Sequence, residues 1–168
     1  MQTAVYYFPN YHIDPRNEEI HGKNWTEWEI MKCARPRFEN HRQPKIPAWG
    51  YTDEANPVDM AQKIDAATNS GIDAFVFDWY WYEGPYLERA LNEGFLKAPN
   101  CAKLKFALVW ANHDWKNIHP CNRQTRNQET NFPWSTRRET VGFVWDYIIE
   151  NYLTHSNYWT VDGMPYFS

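Results

Sequence analysis

Residues 72–84 read IDAFVFDWYWYEG, and no other stretch restricts the fold as much. From Ile72 to Phe77 the run is almost continuously apolar, with Gly71 before it and Gly84 beyond it. It is far too short for a membrane helix, which needs about 20 apolar residues, and it has the β-branched and aromatic content of a strand. A strand without an alternating polar face is buried on both sides, which is the situation of a parallel sheet covered by helices.

Two further runs have the same character: TAVYYF, Thr3 to Phe8, ended by Pro9, and KFALVW, Lys105 to Trp110. Between the first and second strands Asn56 caps and Pro57 opens a helix, with Val58, Ala61 and Ile64 at helical spacing and Gly71 closing it. A helix is predicted over 86–96, and a strongly amphipathic one from Ser135 to Tyr152, where Val141, Val144, Trp145, Ile148 and Tyr152 share a face. The segment from Asn10 to Tyr51 reads as a long ordered loop with one helical turn at Glu29 to Lys32. Residues 111–135 read as polar loop, and MPYFS reads as the start of a fourth strand.

Alternating strands and helices fit an α/β fold, either doubly wound or barrel-like. No glycine-rich phosphate loop of either common form occurs, which lowers a nucleotide-binding open sheet. The residues just beyond each strand favour a barrel. Strand one leads to Pro9, Asn10, Tyr11 and His12, strand two to Asp78, Trp79, Tyr80 and Trp81, and strand three to Asn112, His113, Asp114 and Trp115. Polar and aromatic residues thus collect at strand C-termini, where a TIM-type (β/α)8 barrel builds its site. Such a barrel takes about 250 residues, so residues 1–168 are expected to form a single partial domain with about the first four βα units. Its open parallel edge predicts self-association of the chain.

The net charge of −4 is spread without blocks, which argues against nucleic acid and anionic membrane as partners. The most basic stretch, Arg123 to Arg138, also holds Glu129 and reads as a solvated loop. Cys33, Cys101 and Cys121 show no C-x-x-C spacing, and His113, Asp114, His119 and Cys121 follow no recognised ligand pattern. Neither disulfide, metal nor cofactor is expected. Without a signal segment or membrane-length run, the expected location is cytoplasmic.

The ordered motifs YFPNYH, GKNWTEW, GIDAFVFDWYWYEG with LER after it, and VWANHDW resemble the N-terminal half of the WbsX-like, glycoside hydrolase family 99-like proteins. The likeness runs from Tyr6 to Phe167. It implies a (β/α)-barrel and a role in glycan processing or polysaccharide assembly. It places His12 at a family histidine beyond strand one, Thr26, Glu27 and Trp28 at a TEW loop, and Trp110, Ala111, Asn112 and Trp115 at a WAN motif and the tryptophan after it. Two departures stand out: His113 and Asp114 follow Asn112 where Glu is commoner, and Asp78 and Trp79 replace a histidine-tyrosine pair. The family's NEW-like motif is not present, and family 99 places its catalytic glutamates further along. Family 99 chemistry implies retention through the substrate's own 2-hydroxyl.

Sugar chemistry fits these residues on its own terms. A sugar ring offers a C–H face to flat aromatics and a hydroxyl rim to carboxylate, amide and imidazole groups, and common glycosidases add two carboxylates about the scissile bond. The carboxylates singled out as catalytic are Asp78, Glu27 and Asp114; Tyr7, His12, Trp28, Trp79, Trp81, Trp110, Asn112, His113 and Trp115 are singled out for substrate binding. Each has a plainer reading. Trp79 and Trp81 share one side of the strand and Asp78 and Tyr80 the other, so one pair is packing; Asp78 can cap a turn, Glu27 can anchor its loop, and Glu83 is a solvated turn residue. The expected function is glycoside hydrolysis of a polysaccharide or glycan, with a glycosyltransferase-like role and a non-catalytic glycan-binding role as the alternatives.

Overall fold

The computed structural model describes residues 1–117, 130–134 and 138–168. Three parallel strands form the centre: β1 (Ala4–Tyr7), β2 (Ala74–Trp81) and β4 (Lys105–Trp110). Ala4 pairs with Ala74 and Ala74 with Lys105, and the ladder runs on to Tyr7 with Phe77 and Trp79 with Trp110. A fourth parallel neighbour begins beside β4, where Leu108 bridges Phe167 and the Trp110 amide donates to the Ser168 carbonyl at 2.8 Å. The strands therefore lie side by side in chain order.

α3 (Pro57–Asn69) links β1 to β2. The Asn56 side chain accepts from the Val58 amide and Pro57 supplies a preset φ, while Gly71 at φ 79° turns the chain out of the helix. α4 (Arg138–Ile148) continues as a wider π-helical turn, Ile149–Leu153; its predicted start at Ser135 lies outside the described residues.

Register divides the sheet into two faces, because paired residues of parallel strands point the same way. Phe75, Phe77 and Trp79 of β2 share a face with Val5 and Tyr7 of β1 and with Phe106, Leu108 and Trp110 of β4. This face packs on Met60 and Ile64 of α3, Leu91 and Phe95, and Val144, Ile148 and Tyr152, forming the main core. Gly94 allows close approach there: a Cβ on it would lie 1.9 Å from the Glu54 carbonyl oxygen.

Four expectations are corrected. The long loop contains α1 (Pro15–His21), capped by Asp14 and opened by Pro15, besides the short α2 (Trp28–Lys32). The helix predicted over 86–96 is instead β3 (Pro85–Tyr86), antiparallel to the end of β2, then a π-helical segment Ala90–Phe95. Glu83 at φ 56° and Gly84 at φ 144° reverse the chain and fold Pro85 and Tyr86 back onto Trp81 and Tyr80. The segment read as polar loop after β4 contains an antiparallel pair, β5 (Trp115–Lys116) with β6 (Thr130–Phe132). In MPYFS, β8 (Met164–Pro165) forms a hairpin with β7 (Thr160–Val161), and only the last residues join the main sheet.

Candidate glycan-binding cleft

A cleft of about 180 Å³ opens at the C-terminal ends of the strands. β1 leads into it with Phe8 and Asn10, α1 adds Asn17 and His21, the end of β2 adds Tyr80, the turn after it Tyr82 and β3 Tyr86, and the segment after β4 adds His113 and Trp115.

Its walls are aromatic. Tyr86 and Trp115 stack at 4.3 Å between centroids, Trp115 stacks on Phe132 at 5.3 Å, and His21 stacks on Trp25 at 4.2 Å. The polar groups between them are held in a chain of hydrogen bonds. The Tyr86 hydroxyl donates to Asn17 Oδ1 at 2.7 Å, Asn17 Nδ2 donates to Asn10 Oδ1 at 3.3 Å, and Asn10 Nδ2 donates to Glu27 Oε2 at 3.0 Å. Asn10 and Asn17 are buried, so these bonds offset the desolvation of their amides and fix their orientation. Burial, followed by the nearby Asp14 carboxylate, keeps the Tyr86 phenol protonated far above its ordinary range.

Asp14 and Arg16 hold the wall in place. One Asp14 oxygen accepts from the Arg16 amide and caps α1, while the other accepts from the Leu87 amide at 3.1 Å. Arg16 Nη1 donates to the Tyr82 carbonyl at 2.6 Å, and the guanidinium sits 5.2 Å from the Phe132 ring centroid.

Asp78 does not line the cleft but neighbours two residues that do, Tyr80 and His113. Burial raises its pKa, against the opposing influence of a Tyr80 hydrogen bond and the His113 ring. Tyr80 in turn is raised, first by its own burial and then by the Asp78 charge. The result is a carboxyl that keeps its proton to higher pH than an ordinary aspartate, beside a phenol and an imidazole.

Of the residues singled out from sequence, His113 and Trp115 line this cleft and Glu27 joins its polar chain. Glu27 also anchors its loop, since its amide donates to the Asn10 carbonyl at 3.4 Å. Asp114 is exposed and accepts from the Trp134 amide at 2.9 Å, which ties it to the β5–β6 pair; Asn112 is exposed. Trp79, placed among the sugar-binding residues, is 2% exposed and lies in the helix-facing core, 6.1 Å from Tyr147 and 6.5 Å from Tyr152. Trp81 continues that row against Tyr147, and Trp110 lies in the same core with its indole N–H buried and unpartnered among the described residues. Strand parity sends these three rings to the helices.

His12 is fully buried with no hydrogen-bond partner for either ring nitrogen among the described residues, and burial, reinforced by Arg89, draws its pKa down to about 4. Tyr7 turns its hydroxyl away from the cleft to Glu54, and Trp28 borders a different hollow.

Asn10, Asn17, His21, Trp25, Tyr82 and Tyr86 line the cleft although the sequence does not single them out, whereas it sets Tyr80 with Asp78 on the strand face opposite Trp79 and Trp81. For Tyr80 a signal exists in its i, i+2 relation to Asp78, and Asn10 comes soon after strand one; Asn17 and Tyr86 carry no local signal, since 69 positions separate them. Among the described residues no group of three or more His, Cys, Asp or Glu side chains is placed to hold a metal ion, and no helix is long and apolar enough to cross a membrane. His119 and Cys121, and with them Arg123, Arg126, Glu129 and Arg137 of the basic stretch, lie outside the described residues. Cys33 and Cys101 are free thiols.

Comparison with known proteins bears on the fold and the family. Two solved structures of the GH99 endo-alpha-mannosidase of Bacteroides thetaiotaomicron share the fold. One, bound to bis-tris-propane, has a TM-score of 0.59 at 15% identity over 99% of this chain and 40% of that one. The other has a TM-score of 0.55 at 15% identity, over 99% and 44% of the two chains. The uncharacterized protein WxcX of Xanthomonas campestris pv. campestris, in strains B100 and ATCC 33913, is 36% identical over 114 residues, which is 67% of this chain. The chain spans only 16% of the length of those curated relatives. The family model described as Glycosyltransferase WbsX matches residues 3–168, and the chain belongs to that carbohydrate-active family.

Proposed function

We propose that the chain is the N-terminal part of a (β/α)8-type barrel and that its cleft binds a glycan for hydrolysis. The observation that carries this reading is the cleft itself, with stacked aromatic planes beside amide and imidazole groups at the strand C-termini. Flat rings suit the C–H face of a sugar, and the exposed His113 imidazole suits its hydroxyl rim, with the buried Asn10 and Asn17 amides fixing the wall behind it. The chain-order arrangement of the strands supports the barrel, since a doubly wound sheet reverses its order at a switch point.

Asp78 is the general-acid candidate. A carboxyl whose pKa burial raises holds its proton to higher pH than an ordinary aspartate, which is the direction a general acid needs, and its neighbours Tyr80 and His113 line the cleft. Tyr80 and His113 would set its orientation and charge. The family description favours a second reading, transfer of a glycosyl unit rather than hydrolysis.

The test is titration of the protein with a neutral oligosaccharide, followed by tryptophan fluorescence or ligand-observed NMR. Trp115→Ala and Tyr86→Ala are expected to weaken binding about tenfold or more. Unchanged affinity in both would remove the cleft. Release of reducing ends from polysaccharide without a nucleotide sugar supports hydrolysis, with a rate that falls as pH rises through the elevated pKa of Asp78; dependence on a nucleotide sugar supports transfer.

A further inference from the structure

The exocyclic carbon of a hexopyranose reaches a protein in one of three forms, as a hydroxymethyl, a carboxylate or a methyl group, and the inner end of the cleft discriminates among them. Burial divides the lining. His113 is exposed and His21 and Trp25 are half-buried at the rim, whereas Asn17, Tyr82, Tyr86 and Leu87 are each less than a tenth exposed and form the floor. The partners that hold this floor all lie within the described chain, so the open edge of β1 does not set its chemistry.

The hydroxyl donors of the floor are committed to the protein. The Tyr86 hydroxyl donates to Asn17 Oδ1 at 2.7 Å, the Tyr82 hydroxyl donates to the His113 carbonyl at 3.0 Å, and the Tyr80 hydroxyl beside them bonds Asp78. Asn17 in turn directs its amide to Asn10. A hydroxymethyl group seated here would leave water without gaining a hydroxyl partner, and a polar group buried in that way is disfavoured. A carboxylate would meet no cation, because among the described residues no Lys or Arg lines the cleft. What the floor presents is apolar, with Leu87 packed among the Tyr80, Tyr82 and Tyr86 rings.

Leu87 holds this place through a backbone that does not favour it. Its φ is 60°, in the left-handed region that bulky side chains seldom adopt and that Gly and Asn enter readily. Asp14 keeps it there: one carboxylate oxygen accepts from the Leu87 amide at 3.1 Å while the other caps α1. Asn would relieve the backbone but would remove the branched apolar surface from the floor.

We propose that the floor of the cleft receives the methyl group of a 6-deoxyhexose, with the sugar's hydroxyl rim turned outward to His113 and His21. The glycan is then one that carries 6-deoxy units, and Leu87 is the residue that selects them. This identification rests on the glycan-binding reading of the cleft.

Ligand-observed NMR titration with pairs of methyl glycosides that differ only at the exocyclic carbon tests this on the unaltered protein. The pairs are D-fucose with D-galactose, 6-deoxy-D-glucose with D-glucose, and L-rhamnose with L-mannose. The deoxy member of at least one pair is expected to bind about tenfold tighter or more than its hydroxylated partner. Leu87→Asn, which suits the left-handed backbone and brings an amide to the floor, should erase that difference, chiefly by strengthening the hydroxylated ligand, in protein whose unfolding curve shows it folded. Equal binding within every pair, tighter binding of the hydroxylated members, or a deoxy preference untouched by Leu87→Asn overturns the proposal. Equal binding that Trp115→Ala abolishes leaves the glycan reading of the cleft standing when the methyl site fails, whereas no binding of any of these ligands overturns both readings.

Discussion

On one face of β2, Phe75, Phe77 and Trp79 meet helices; on the other, Asp78 and Tyr80 meet chain that has just left a strand. Aromatic rings occur on both, so ring type does not distinguish them. The helix side offers side chains at fixed helical spacing, and there the rings are closed in by Leu91, Phe95 and Tyr152. The opposite side meets turns and short helices, which bring amides, imidazoles and backbone carbonyls into reach. Tyr80 and Tyr82 are buried there, yet they belong to a separate small cluster that borders a cleft. In this strand, odd positions face the helix-covered core and Tyr80, at an even position, borders the cleft.

Trp79→Ala should break the comparison most severely. Removing a buried indole costs about 3–5 kcal/mol of stability, measured by denaturant unfolding, while the folded fraction keeps its affinity for a neutral oligosaccharide. Reduced affinity in fully folded protein would move Trp79 into the site. The next largest effect belongs to His12, expected beside the cleft and found buried. Its pKa is drawn from 6.5 to about 4 by burial, so the unfolded chain binds the proton more readily. The stability contributed by keeping the ring neutral is fully present above about pH 6.5 and is lost as pH falls toward 4, about 3 kcal/mol in all. Unfolding curves at pH 7 and pH 4.5 should show this acid loss shrinking in His12→Phe, and an identical acid loss would refute it.

Tyr80→Phe should give the smallest effect and the sharpest assignment. Stability changes by about 1 kcal/mol or less, but the Asp78 pKa rises further because a hydrogen bond to its charged form is gone. Carboxyl carbon NMR titration reads this directly; a lower Asp78 pKa in the variant would contradict the arrangement.

The parts of the fold legible in the sequence are those that local chemistry decides. Asn56 and Pro57 announce α3, and the KFALVW run matches β4 residue for residue. α1 escapes a sequence reading although Asp14 and Pro15 mark its start, because it is short and lies in a segment dense with turn residues. β3 reads as helix because Pro85 and Tyr86 become a strand only through Trp81 and Tyr80, after a reversal at two positive-φ residues. The cleft is half legible for a similar reason. Trp115 and His113 come soon after a strand, whereas Asn17 becomes a site residue only when Tyr86 arrives from the far side of α3 and β2.

The side-by-side order of the strands also bears on how the chain assembles. Ala74 pairs with Lys105, roughly 30 positions away, but Ala4 must find Ala74 across roughly 70, a closure costing about 0.7 kcal/mol more in chain entropy. The β2–β4 pair is therefore the favoured nucleus, and β1 joins late, bringing the 8–51 segment with it. A nascent chain would hold β1 waiting until β4 had emerged, leaving Val5 and Tyr7, which pack on the core once β1 docks, open to chaperones or to other chains in the meantime.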